Sequence, residues 1–487
     1  MKLLGYAPDL DETIEGVITD CEAFIPTEKG MQAAPSAQDG GTDALAAACL
    51  GAASVRKLDN SFRLIAGTAT KLYELSGSTW VDSSRAVGGD YGATTDNPWR
   101  YAQFGNTTLT VNKTDTLQYS DAGAFANVTD APKASIVETV QNFVFLFDTN
   151  EVSFGDSPNR WWCAGIGTYD DFVPSIATQS ATGLLTSAPG RIAAGKRFGN
   201  QIIAYKERAM YIGTYVGAPV IWDWQQIPGE AGCSSNEGVV NIGTADNPVH
   251  IFMGIDDFWR FDGARPVPIG NPLRKTIYAD FNASFANRIK TLHDRRNQRV
   301  YFFYPSLGGG GAIDSCVVYH YRTGMWGRDD RTVEAVVEYL AGGITYDNWD
   351  TLYATYNAIP TTLSYDSPFL TSGNFTPGIF DTNHDLLSLD GIATNSSFTT
   401  GDMGDDINFY LLERVKPKWL TSPTSATMTN YYKQSEGDAL TTDVTTTMSL
   451  SRFDVLRSAR WHRLQFNMVG DCTLSEYSPL MKLDGSE

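Results

Sequence analysis

Asp381-Thr382-Asn383-His384-Asp385 sets three oxygen-bearing side chains at alternate positions, as a calcium loop begins. Such a loop needs a glycine at its sixth position and a glutamate at its twelfth, to turn the chain and close the cage. Leu386 and Ile392 stand there, so the segment reads as a turn. Asp170-Asp171 and Asp256-Asp257 are paired acids of the type that cleaves glycosidic bonds. Aspartates also cap turns through their own side chains, and both pairs read that way. The histidines, His250, His293, His320, His384 and His462, each lack a Cys, Ser or second His at useful spacing, and His320 alternates within a strand as a structural residue. There is no Gly-x-Ser-x-Gly elbow to present a nucleophilic serine.

Cys21, Cys49, Cys163, Cys233, Cys316 and Cys472 are scattered, with no CxxC pair. Zinc sites need closely spaced ligands, so no metal is expected; dispersed cysteines fit buried, reduced thiols made in a cytoplasm. Gly308-Gly309-Gly310-Gly311 lacks the Lys-Ser or Lys-Thr that would make it a phosphate-binding loop. It reads as a flexible hairpin tip, able to project into a channel or towards a partner. His293-Asp294-Arg295-Arg296-Asn297-Gln298-Arg299 is the one dense cationic loop. It reads as a solvated turn, or as a contact for a neighbour's acids or for passing DNA. Sialidase-type propellers carry Ser-x-Asp-x-Gly-x-x-Trp boxes. Ser120-Asp121-Ala122-Gly123 before Phe125 and Gly155-Asp156-Ser157 before Trp161 come nearest, and neither keeps the spacing. The chain therefore offers no catalytic residue, cofactor site or metal site, and is not expected to be an enzyme.

The elements around these residues are β. Of 487 residues 42% are hydrophobic, 12% aromatic and only 19% charged, with 45 glycines. Aromatics suit a pleated, half-buried surface and glycine supplies the positive φ of tight turns, so short strands and hairpins are expected. The formal charge of −19 argues against binding nucleic acid through phosphate neutralisation. An acidic surface can still line a passage for DNA, since repulsion prevents sticking. Lys2-Leu3-Leu4 runs at once into Gly5 and Pro8, unlike a signal peptide, and no apolar run approaches the ~18 residues of a membrane span.

A unit recurs from about residue 45: an apolar strand, a polar turn, and a second strand ending near an aromatic. Phe62–Gly67 leads to Lys71–Leu75, Phe104–Val111 to Thr116–Tyr119, Asn142–Phe147 to Glu151–Phe154, Phe198–Tyr205 to Ala209–Ile212, Val249–Met253 to Phe258–Gly263, and Arg299–Tyr304 to Cys316–Tyr319. A weaker copy runs from Val336 through Leu352-Tyr353 to Ser364-Tyr365. The repeat of roughly 35–60 residues suits one four-stranded blade per unit. Phe-Gly-Asn recurs at 104 and 198, and a Tyr/Trp pair at Tyr73/Trp80 and Tyr319/Trp326, placed to fill the wedge between blades. The expected fold is an all-β propeller of six or seven four-stranded blades over 45–366. An extended arm precedes it at 1–44, and a loop region follows at 367–397. Residues 398–487 form a small β region, either a sandwich or a last blade with closure strands. Ile277, Phe281, Phe285 and Ile289, spaced by four, mark the best helix candidate over 277–290.

Leu64–Leu75 with Trp80, Trp99–Asn106, Phe198–Tyr205 with Tyr215–Trp222, and Phe258–Gly263 through Pro266–Gly270 together resemble the tail hub or nozzle proteins of short-tailed bacteriophages, also called tail tubular or head-stabilisation proteins. The resemblance covers about residues 1–330. It implies a structural virion protein, made in the bacterial host cytoplasm and placed in the tail. There it forms a hexameric ring below the portal and adaptor proteins, in contact with tail fibres or tailspikes. The ring encloses the DNA channel, retains the genome and passes double-stranded DNA at ejection without sequence-specific binding. The family has no catalytic residues to carry over; Gly308, Gly309, Gly310, Gly311, Arg295 and Arg296 are the candidate channel or gating loops. The alternative, from another class, is a propeller glycosidase or carbohydrate-binding protein.

Overall fold

The structure is a computed structural model that describes residues 1–340, 355 and 375–486. Six four-stranded antiparallel sheets stand alone in it as blades. In ring order they are blade 1 (residues 52–82), blade 2 (100–127), blade 3 (133–184), blade 4 (194–227), blade 5 (239–268) and blade 7, while a further four-stranded meander at 290–328 takes the place of blade 6. Blade 7 joins Ala335–Leu340, Phe375–Phe380 and Leu386–Gly391 to an outer strand from the start of the chain, Ser36–Asp39. Its innermost strand packs beside that of blade 1, closing a β-propeller.

The apolar runs in the sequence are continuous because these strands are covered on both faces. In Phe143–Glu151, Phe143, Phe145 and Phe147 point to blade 4, while Val144 and Leu146 point to blade 2. In Arg299–Tyr304, Val300, Phe302 and Tyr304 point to blade 5, while Tyr301 and Phe303 point to blade 7. Among the described residues an apolar cluster of this kind fills each of the seven wedges around the ring. In blades 1, 2, 4, 5 and 6 the recurring sequence unit covers the second and third strands; in blade 3 Val152–Phe154 is the turn between Phe143–Glu151 and Gly155–Cys163, and Val336 lies in the first strand of blade 7. The copy at Leu352-Tyr353 and Ser364-Tyr365 lies outside the described residues.

The shared motifs have distinct jobs. Phe104-Gly105-Asn106 and Phe198-Gly199-Asn200 make the same turn between first and second strands, with Gly105 and Gly199 both at φ 61°. A glycine at the first central position is what a two-residue hairpin of this type demands. Tyr319 and Trp326 sit directly opposite on neighbouring strands, ring centroids 4.6 Å apart, and Trp326 also meets Phe258 of blade 5. Trp80 meets Phe380 of blade 7 at 5.9 Å, with Tyr73 against the same cluster.

The terminal regions differ from expectation. The first 44 residues are extended, but they are paired into three sheets rather than forming a separate arm. Val17–Glu22 pairs with Asn395–Thr400, the hairpin Phe24–Thr27 and Gly30–Ala33 joins blade 6 to Thr473–Ser486, and Ser36–Asp39 closes blade 7. Their partners lie hundreds of residues away, so nothing in the local pattern announces them. The expected loop region 367–397 holds two strands of blade 7, where Gly378 and Pro377 weakened the strand signal. The helix candidate is a short helix, Arg274–Asp280, and a separate 3-10 turn, Ala283–Arg288.

After residue 391 the chain builds a sandwich. One sheet contains Asn395–Thr400, Trp461–Val469, Ser425–Lys433 and Thr441–Thr447; the facing sheet contains Thr473–Ser486, Asn408–Thr421 and Phe453–Ala459. The second sheet runs on without a break through the N-terminal hairpin into blade 6, so nine strands form one surface. Phe24 stacks on Phe398 at 5.0 Å and Phe398 on Phe466 at 4.7 Å, in the same apolar cluster as Phe258, Phe302 and Trp326. No helix among the described residues is long and apolar enough to cross a membrane.

Candidate functional site

Segments leading into the innermost strands of blades 1, 2, 5, 6 and 7 converge around a cavity of about 370 Å³. Cys49 and Leu50 precede blade 1, Pro98 precedes blade 2, Glu237 precedes blade 5, Lys290 opens blade 6 and Glu334 precedes blade 7.

Arg100, the first residue of blade 2, is 3% exposed and reaches out of its own blade. Its Nε lies 2.7 Å from Glu237 Oε1 and its Nη2 3.2 Å from Oε2, while Nη1 donates to the Ser135 carbonyl of blade 3 at 2.8 Å. Glu237 is set by a 3-10 turn, Asn236–Gly238, and its carbonyl accepts from Thr291 of blade 6. Burial alone would raise the Glu237 pKa; the Arg100 guanidinium, followed by Lys290, outweighs it and holds the carboxyl at about 2. Blades 2 and 5 are not neighbours, so this fork bond ties together parts of the ring that no strand pairing joins.

On the rim, the imidazole Nδ1 of His384 lies 2.8 Å from Glu334 Oε1, and Glu334 Oε2 accepts the Cys49 N–H at 2.8 Å. This Cys/His/Glu grouping resembles a nucleophile site only in composition. Burial pushes the Cys49 thiol up to about 12, so it stays protonated near neutral pH, where a thiolate would be needed. Glu237, fixed as an anion by Arg100, likewise lacks the raised pKa of a glycosidase acid.

The candidate gating loops separate. Gly309, Gly310 and Gly311 line the cavity, with Gly308 beside them in the same tip. The tip is packed rather than projecting: Arg288 Nη1 donates to the Gly311 carbonyl at 2.8 Å, and a Cβ on Gly311 would stand 2.9 Å from the Phe285 ring. Glycine is needed there for close approach as well as for its φ of 92°. Arg295 and Arg296 lie at the other end of blade 6, in the turn between Lys290–Asp294 and Arg299–Tyr304. Arg295 Nε is 2.9 Å from Glu338 Oε2 of blade 7, so this cation is engaged within the chain. Arg296 is exposed and makes no ion pair among the described residues.

Several of the remaining sequence candidates are held by local hydrogen bonds. Asp381 Oδ1 accepts from the N–H groups of Asn383 and Asp385, an ordinary turn. Asp171 caps Val173, and Asp257 Oδ1 accepts the Phe258 N–H. His320 accepts from Thr323, as expected of a structural strand histidine. All six cysteines are buried and free. Sequence reasoning missed Arg100, Glu237, Lys290 and Glu334, because each lies beside an unremarkable strand start and only ring closure brings them together.

No family model and no curated relative matches the chain. Among solved structures it is similar to YCF48 bound to D1 peptide, at 12% identity and a TM-score of 0.37 over 73% of this chain and 96% of that one. It is also similar to the extracellular domain of a hybrid two-component system from B. thetaiotaomicron, at 8% identity and a TM-score of 0.43, over 85% and 47% of the two chains. The Neurospora crassa Pan2 WD40 domain gives 8% and 0.37 over 69% and 88%. The propeller assignment itself stands on the strand order and ring closure of this chain.

Proposed function

We propose that the chain is a structural subunit of the tail of a short-tailed bacteriophage, one of six copies in a nozzle or hub ring below the portal and adaptor. In this reading the ring encloses the DNA channel, holds the genome in place and passes it at ejection. The observation that supports it best is the joint between propeller and sandwich. One nine-stranded sheet and one apolar core run through both, as suits a wall element that must transmit load. The Arg100–Glu237 pair ties blade 2 to the turn before blade 5 within one propeller, and in this reading DNA passes between subunits and not through any one of them. The sequence resemblance to nozzle proteins and the net charge of −19, compatible with a non-sticking channel wall, agree with this role.

The experiment is native mass spectrometry with electron microscopy, on the purified chain mixed with its adaptor and on virions. Six-fold density containing this chain is expected. A monomer that cleaves glycans and is absent from virions overturns the reading. The glycosidase alternative draws on the two cavity carboxylates, Glu237 and Glu334. Glycan turnover abolished by Glu334→Gln would favour it.

A further inference from the structure

The sandwich carries rows of opposite charge on its two outer faces. In Asn408–Thr421, Leu412 and Val415 enter the core, and Arg414, Lys416 and Lys418 stand exposed on the other side of the strand. In Val17–Glu22, which belongs to the facing sheet, Ile18 and Cys21 enter the same core, and Asp20 and Glu22 stand exposed outside. Arg414, Lys416, Asp20 and Glu22 make no ion pair and no side-chain hydrogen bond among the described residues. Their neighbours do not cancel them. Opposite Lys418 is Glu476, bound to it at 2.6 Å; opposite Lys416 is Ser478; opposite Arg414 is Asp454, which lies 3.2 Å from Arg452. Lys482 and Glu413 pair with each other. Cations therefore outnumber acids on this face, in a chain of net charge −19. On the acidic face Asp20 lies opposite Thr399 and Glu22 opposite Ser397, with Gln465 and Asn467 on the next strand, all uncharged.

In both rows the charges stand at alternate positions, about 7 Å apart on a strand that rises ~3.4 Å per residue. The rows thus match in period and oppose in sign. The two outer faces of one sandwich look in opposite directions, so a chain does not bring its own rows together. We propose that a second copy of this chain docks head to tail, laying its Asp20–Glu22 row on the row of Arg414, Lys416 and Lys418. Each copy then offers one face to each of two neighbours, the kind of contact that makes a ring when the rotation closes. Matched charges set partner and register more than affinity. Leu420 and Val469, exposed one on each face, add apolar contact. A nucleic-acid backbone fits the cationic row less well, because Glu476 and Asp454 lie among the cations and would face its phosphates. The proposal deepens the ring reading and rests on it for the number of copies alone.

The test is sedimentation of the full chain over a concentration series, at low and high salt, for the wild type, Arg414→Glu/Lys416→Glu and Asp20→Lys/Glu22→Lys. The wild type is expected to associate, and less so at high salt. Each variant alone should associate roughly tenfold or more weakly, and an equal mixture should recover, since each supplies the face that the other lacks. A wild type that stays monomeric, variants that associate as it does, or losses that mixing does not restore overturn the proposal. So does duplex DNA that binds the wild type and not Arg414→Glu/Lys416→Glu. If a variant fails to fold, carbodiimide coupling of mixed isotope-labelled and unlabelled wild-type chains replaces it, joining carboxylate to amine as an amide. Lys416 or Lys418 of one copy joined to Asp20 or Glu22 of another supports the contact; coupling between copies only elsewhere, or none, overturns it. Six-fold density in virions with these two faces apart overturns this proposal and leaves the ring reading standing. Recovery on mixing, in a chain absent from virions, does the reverse.

Discussion

Arg100 and Glu237, 137 residues apart in sequence, meet in a two-pronged ion pair between blade 2 and the turn before blade 5. The guanidinium is almost fully buried and the carboxylate is 23% exposed, so the pair sits where removing one partner hurts more than removing both. Arg100→Met leaves Glu237 with its charge and without its main partner. The expected loss is on the order of 3–5 kcal/mol in urea unfolding, and Arg100→Met/Glu237→Gln recovers much of it. A double variant as unstable as the sum of the singles would show that the two residues do not act as a pair.

The same pair sets an acid limit. Glu237 is held at about 2 in the folded chain, below its ordinary 4.5, so the folded state binds its proton more reluctantly than the unfolded state does. Its stabilisation is complete above pH 4.5 and is lost as pH falls towards 2. Glu237→Gln should therefore flatten the stability curve over that window, measured by urea midpoints at each pH, and leave its slope above pH 5 unchanged.

His250 acts in a different window. It lies between blades 4 and 5, with Nδ1 2.6 Å from the Tyr205 hydroxyl and Nε2 3.0 Å from the Arg197 carbonyl. A neutral ring with its proton on Nε2 satisfies both contacts, accepting from the Tyr205 hydroxyl and donating to the Arg197 carbonyl. Burial pushes its pKa down to about 3 from the ordinary 6.5. The unfolded state takes up a proton below pH 6.5 and the folded state does not, so folding loses about 1.4 kcal/mol per pH unit from 6.5 towards 3. His250→Phe should be less stable at pH 7, because Tyr205 and Arg197 lose their partner, yet less sensitive between pH 6 and 4. An unchanged slope there would remove His250 as the titrating group; His293, held at about 4, would remain in both proteins.

The blades were legible because their signal is local. Second strands such as Phe143–Glu151 are buried on both faces and read as continuous apolar runs, and Phe-Gly-Asn marks a turn wherever it stands. The closure was not legible. Ser36–Asp39 has one buried residue, Gln38, and its partner strand begins at Leu386, so no pattern within the first 44 residues announces a blade. The cavity was hidden for the same reason: Lys290 and Glu334 acquire their surroundings only when the ring shuts. The tetraglycine was visible, but composition alone cannot tell a projecting tip from one packed under Arg288.

Gly105 and Gly199 occupy the same turn position in blades 2 and 4 and should respond in a graded way. Both sit at φ 61°, which costs a residue with a Cβ about 1–2 kcal/mol. A Cβ at Gly105 meets only the Leu58 methyl at 3.8 Å, whereas one at Gly199 presses on the Ala245 carbonyl at 3.1 Å. Gly199→Ala should therefore destabilise more than Gly105→Ala. Equal losses in chemical denaturation would mean that backbone conformation alone decides the cost.

Propeller and sandwich should unfold together, because Phe24 belongs to both. Its strand meets Arg328 at the outer edge of blade 6, and its ring stacks on Phe398 of the sandwich. Fully buried, it lies in the one cluster that also holds Phe302 and Trp326 of the propeller. Two bodies with separate cores melt separately; two that share a core and a sheet lose both at once. The wild-type chain is expected to give one calorimetric transition, coincident by tryptophan fluorescence and far-ultraviolet dichroism. Phe24→Ala removes the ring between the layers at a cost of about 3–5 kcal/mol. Since the cavity it leaves lies at the joint, the variant should show a broadened or divided transition as well as a lower midpoint. Two resolved transitions in the wild-type chain would mean that the continuous sheet does not couple the two parts, and would remove the mechanical argument for a load-bearing wall.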